Sequence, residues 1–248
     1  MTTVLRNVDS GPSASEPRHL DAAQLNTAAV EGERFSQWQL VVLAVVVFAG
    51  GLFGYDQGVI SGALAGIKAT FSLSLFMVQV VTSWVTLGAL LGSLAGGALG
   101  DRLGRKNAML LAGALFTFGA IVQWLTPNAP FLVVGRFIVG LGVGVAAVAA
   151  PLYAAELAPA NLRGRFISCY QLAITLGIFF AYLVNAHLSA DRNWRLMLGA
   201  AALPGLALFL IVLVAPESPR WLMMRSRRAD AAAVTRKVHP EINVEAQL

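Results

Sequence analysis

Six apolar stretches, at about 38–67, 77–100, 107–126, 130–155, 166–188 and 195–215, each reach the roughly 17–25 residues that a helix needs to cross a bilayer. Of the 248 residues 57% are hydrophobic and only 12% charged, too few polar groups to cover a soluble domain of this size. The chain therefore reads as an all-α integral membrane protein with six transmembrane helices over 38–215. Residues 1–37 read as a disordered cytoplasmic tail: they are polar and lack the short apolar core of a secretory signal. Residues 216–248 read as the start of a cytoplasmic helical segment, with basic and small residues alternating as in an amphipathic helix.

Charge asymmetry sets the expected orientation. Arg6, Arg18, Arg34, Arg102, Arg105, Lys106, Arg163, Arg165 and the six basic residues from Arg220 to Lys237 fall on the side of the N-terminus, against Lys68, Arg192 and Arg195 on the other. The positive-inside bias then places both termini in the cytoplasm of a multi-pass protein. The same bias accounts for the net charge of +5 without a nucleic-acid partner. Cys169 is the only cysteine, which excludes an intramolecular disulfide and a Cys-rich metal site. Gly140, Gly142 and Gly144 lie inside an apolar span with no strand before them, so they signal helix packing rather than a dinucleotide loop. No recognisable nucleophile and base occur together, so the chain is not expected to be an enzyme.

Asp56 and Arg136 break the apolar pattern. An ionised Asp at the bilayer centre costs roughly 2.5–3.5 kcal/mol on insertion scales, so it lines a cavity, finds a partner or carries protons. Counting from Leu40 at about 1.5 Å per residue puts Asp56 about 24 Å into a layer about 30 Å thick. Arg136 enters from the opposite side and reaches about 9 Å below that surface, a similar depth. Pairing would lower the cost of burying each charge if the two helices face one another, and the pair would then be either a permanent one that fixes packing or one that opens when Asp56 is protonated. Glycines at 50, 51, 54, 58 and 62 let this helix bend or pack closely. Gln171, about two turns into the fifth span, reads as a buried amide suited either to a polyol or to a bond between helices. Three charged strings, GALGDRLGRK, PLYAAELAPANLRGR and PESPRWL, fall on the cytoplasmic side and serve either as cross-links between helix ends or as topology signals and caps.

These strings, together with GYDQGVISGAL in the first span and GRFIVGLGVG in the fourth, occur in an order and spacing that resembles the sugar porter family of the major facilitator superfamily, over nearly all of 38–248. The resemblance implies the N-terminal half of a twelve-helix fold whose two six-helix halves enclose a sugar site and rock between two open states. By the same resemblance Asp56 is the protonation site and Arg136 its partner, while Phe53, Gln171 and Ile174 match positions that contact sugar. Asp101, Arg105, Glu156, Arg163, Glu217 and Arg220 would form the cytoplasmic gating network. The implied function is sugar:proton symport with a monosaccharide or polyol, in a lipid bilayer, with no cofactor besides the coupling proton. A facilitative uniporter, in which the pair is only structural, is the alternative. The chain stops where a second half, and with it most sugar-binding groups, would follow. The half is therefore expected to be incompetent alone, needing a separate C-terminal half, or else to be a truncated membrane protein that partners or regulates a full-length carrier.

Overall fold

The computed structural model describes residues 36–188 and 193–238. All but the last two residues of the expected tail, and residues 239–248 of the final segment, lie outside them. The first five spans are α1 (Gln37–Phe71), α2 (Leu75–Leu103), α3 (Arg105–Trp124), α4 (Ala129–Leu157) and α5 (Arg163–Leu188). The sixth is made of α6 (Trp194–Gly199) and α7 (Ala202–Val214), and two short helices follow, α8 (Pro219–Met224) and α9 (Arg228–Val238). Six spans are thus long and apolar enough to cross a membrane, and no strand occurs among the described residues.

Each boundary has a local cause. Ser36 opens α1 with a reciprocal capping box to Gln39, and Ser72 closes it in the left-handed conformation at φ 50°. Ser74, Asn128, Asn193 and Ser218 cap α2, α4, α6 and α8 by accepting from a backbone N–H of the first turn. Gly104 alone separates α2 from α3, at φ 100° and ψ 158°, a region that is essentially open only to glycine. Each span begins one to three residues before its apolar run, and α1, α2 and α4 also extend beyond theirs. α1, for example, extends to Phe71 rather than ending near 67.

With lipid on the outside, association depends on close backbone approach rather than on the hydrophobic effect. Gly50, Gly54, Gly58 and Gly62, one per turn, face α5, and a Cβ at Gly54 would land on the Ile174 carbonyl oxygen. Gly140 and Gly144 of α4 meet α2 in the same way, at the Val85 and Ala89 carbonyls. α1 remains an unbroken helix, so in this structure the glycines near Asp56 serve packing rather than unwinding. α4 packs between α2 and α3, α1 between α5 and α4, and α3 carries α7. α2 and α5 leave long apolar rows exposed, among them Leu87, Leu91 and Leu94 on α2 and Leu172, Leu176 and Phe179 on α5. At the rim opposite the start of α1, Trp194 Nε1 donates to Thr70 Oγ1 at 2.9 Å and Arg195 Nη2 to the Thr126 carbonyl at 3.0 Å.

Candidate functional site

Asp56 lies midway along α1 and Arg136 two turns into α4, and the crossing of these helices brings the two charges together. Arg136 Nη1 donates to Asp56 Oδ1 at 2.6 Å, with Asp56 5% and Arg136 1% exposed. The pairing expected from depth counting is therefore present. Removing two ions from water costs several kcal/mol each, and only close, hydrogen-bonded contact offsets this. The arrangement can do one chemical thing that an apolar contact cannot. Protonation of the carboxylate removes one charge and weakens the hold on the guanidinium.

On the face of α1 one turn from Asp56, Phe53 is half-buried, and Ile174 packs at the same level of α5, where the Gly54 contact brings the two helices together. Gln171 departs from expectation: it is exposed, not buried, because α5 turns its Tyr170, Ala173 and Gly177 stripe to α1 and its Gln171 and Thr175 stripe away. Gln57 was missed in the sequence. It is exposed one turn from Phe53 on the same face, and an amide directly after Asp56 in an apolar span was the signal available.

At the rim where α1 begins, Arg105 joins three elements. Its Nε lies 3.0 Å from Glu156 Oε2, its Nη2 donates to Glu156 Oε1 at 3.2 Å, and its Nη1 reaches Asp101 Oδ1 at 3.2 Å. Arg105 and the Glu156 carboxylate are buried, whereas Asp101 is 69% exposed, so the Asp101 bond contributes little. Ser218 Oγ donates to Glu156 Oε2, which ties α8 to the end of α4. Glu217 Oε1 accepts from the backbone N–H groups of Lys106 and Ser218, capping the start of α3. Burial pushes the Glu217 carboxyl above the ordinary glutamate value, and the backbone N–H groups of Ser218, Lys106 and Arg105 pull it partway back.

Arg163 and Arg220 correct the expected network. Both are exposed, and no side-chain bond joins either to it among the described residues, because their helix starts turn them outward. Their place is taken by groups whose acceptors are backbone carbonyls. Trp221 Nε1 donates to Asp101 O at 2.9 Å and Arg225 Nη2 to Arg102 O at 2.6 Å, clamping α8 on the end of α2. Tyr153 Oη donates to Pro216 O at 2.7 Å. Gly104 sits under this network, where a Cβ would run into the Glu217 carboxylate. Gly104→Ala is expected to cost about 1–3 kcal/mol from the backbone conformation alone. A lowered unfolding midpoint in detergent, measured beside Gly97→Ala as an unhindered control, checks this.

Comparison with known proteins places this geometry. Residues 42–248 match the family described as "Sugar (and other) transporter". The chain is 37% identical over 245 residues to Myo-inositol transporter 2 of Schizosaccharomyces pombe, covering 96% of this chain and 44% of that protein. It is 42% identical over 197 residues to the arabinose-proton symporter of Escherichia coli, covering 79% and 42%. Its fold superposes on the partially occluded inward open conformation of the xylose transporter XylE from E. coli with a TM-score of 0.77 at 30% identity, covering 84% of this chain and 56% of that one. The chain thus spans less than half the length of these two curated relatives.

Proposed function

The chain belongs to the sugar transporter family of the major facilitator superfamily, whose members are transporters and not enzymes, and from that premise we propose that its six helices form one half of a sugar:proton symporter. A second six-helix half completes the site, and a monosaccharide or polyol is the cargo. Asp56 is the coupling acid and Arg136 the partner that holds it. The observation that carries this reading is the buried 2.6 Å pair between the middle of α1 and α4, supported by relatives named as an inositol transporter and a proton symporter. No cofactor besides the proton is needed.

Phe53, Gln171 and Ile174 face the substrate, and Gln57 joins them from the α1 surface one turn away. The exposure of Gln171 fits this role, since an amide left open on a membrane helix is ready for hydroxyl groups and for the second half. Asp101, Arg105, Glu156 and Glu217 hold the rim at which α1 begins, the cytoplasmic side by the basic residues gathered there, and separate as that side opens.

Reconstitution with a second six-helix half in liposomes tests the reading. Under an inward proton gradient the wild type accumulates a polyol such as myo-inositol or a pentose. Asp56→Asn exchanges it without concentrating it. Accumulation by Asp56→Asn at the wild-type level would remove the proton role.

A further inference from the structure

Gln123 occupies the last turn of α3, deep in the protein at 2% exposure. Its Nε2 donates to the Gly135 carbonyl at 3.4 Å, a long bond for such a pair. The approach is close: a Cβ at Gly135 would stand 2.7 Å from Gln123 Cγ. The next residue along α4 is Arg136. Among the described residues two buried polar atoms near this junction lack a partner, Gln123 Oε1 and Arg136 Nε. One is an acceptor and the other a donor. Arg136 spends Nη1 on Asp56, and its Nε–H leaves the guanidinium from a different edge.

An unmet buried polar group is costly, so an acceptor on Gln123 and a donor on the residue that follows its Gly135 contact would both gain from a shared bond. We infer that Gln123 is a positioning residue for Arg136, its amide oxygen taking the Nε–H by a side-chain rotation or through one shared water, and anchoring the guanidinium on the edge away from Asp56. A bridging water there has the two or more polar partners that buried waters require. The inference rests on the proposed coupling role of Arg136 for its functional meaning. When Asp56 is neutralised, the guanidinium keeps a second anchor and stays placed to recapture the carboxylate. A purely structural Gln123 would do no more than close α3 on α4 through Gly135.

Solid-state NMR on the whole chain, with 15N-labelled arginine in lipid bilayers, separates these roles. The Arg136 Nε signal is identified by its loss in Arg136→Lys. Gln123→Met, which keeps volume and removes the amide, is expected to move that signal upfield. An Nε signal unmoved by Gln123→Met overturns the inference. Should Gln123→Met fail to fold, the unmodified chain still decides. A through-space contact from Nε–H to the Gln123 side-chain carbonyl carbon, or to water, is expected, and its absence overturns the inference. The coupling reading fails on a different measurement, sugar accumulation by Asp56→Asn, so the two failures are distinguishable.

Discussion

Arg136→Ala is expected to be among the most damaging single substitutions in the described chain. It leaves the Asp56 carboxylate 5% exposed with its 2.6 Å partner gone. Breaking a buried pair from one side costs about 3–5 kcal/mol, because the surviving charge has neither water nor a counter-ion. It also opens a cavity where one of the largest fully buried side chains stood. The loss is limited by an escape: Asp56 can take up a proton and enter the apolar surroundings neutral. Asp56→Asn added to Arg136→Ala is therefore expected to recover part of the lost stability, although the cavity remains. Unfolding midpoints of the single and double variants in one detergent measure this. A double variant no more stable than Arg136→Ala would show that the stranded charge is not the main cost.

Gly54→Leu is expected to have the second large effect, through a different physical cause. The added Cβ would meet the Ile174 carbonyl oxygen, with the Ile174 carbonyl carbon at 2.7 Å and Cα at 3.0 Å. These are backbone atoms, so no flexible side chain can give way. α5 must move off α1 as a unit. Overpacking costs typically about 1–3 kcal/mol and more where backbones collide. In a bilayer the consequence is wider, because the close approach along Gly50, Gly54, Gly58 and Gly62 is itself what holds the helices together. Gly97→Leu is the control: nothing stands within 4 Å of its Cβ, so its unfolding midpoint should stay close to wild type. Equal losses from the two leucines would contradict the packing account.

The six spans and the ion pair were legible in the sequence for related reasons. Length and hydropathy decide a membrane helix almost alone, since the bilayer fixes both. Two opposite charges at matched depth in such helices have few alternatives to each other, and the pairing of Asp56 with Arg136 follows. Facing was less legible. Depth can be counted along a helix, but rotation depends on which neighbour the small residues meet, so Gln171 was expected inside and lies exposed.

At the rim, the family resemblance drew Arg163 and Arg220 into a network that the structure builds instead from Ser218, Trp221 and Arg225 on carboxylate and carbonyl oxygens. Backbone acceptors have no letter in a sequence. The break of the sixth span at Ala200–Ala201 was not anticipated, although Pro204, which has no N–H to give the Ala200 carbonyl, was the signal available. Gln57 and Gln123 were open to notice as amides in apolar spans. Only the fold distinguishes them, one exposed a turn from Phe53 and the other buried against Gly135.

The proton role proposed for Asp56 can be tested without transport, by infrared difference spectroscopy of the chain in liposomes as the pH is lowered. A carbonyl stretch from a newly protonated buried carboxyl should appear in the wild type and be missing from Asp56→Asn, while guanidinium bands assigned to Arg136 shift in the wild type alone. An acid-induced carbonyl band of equal size in Asp56→Asn, with the Arg136 bands unmoved in both, would contradict the account.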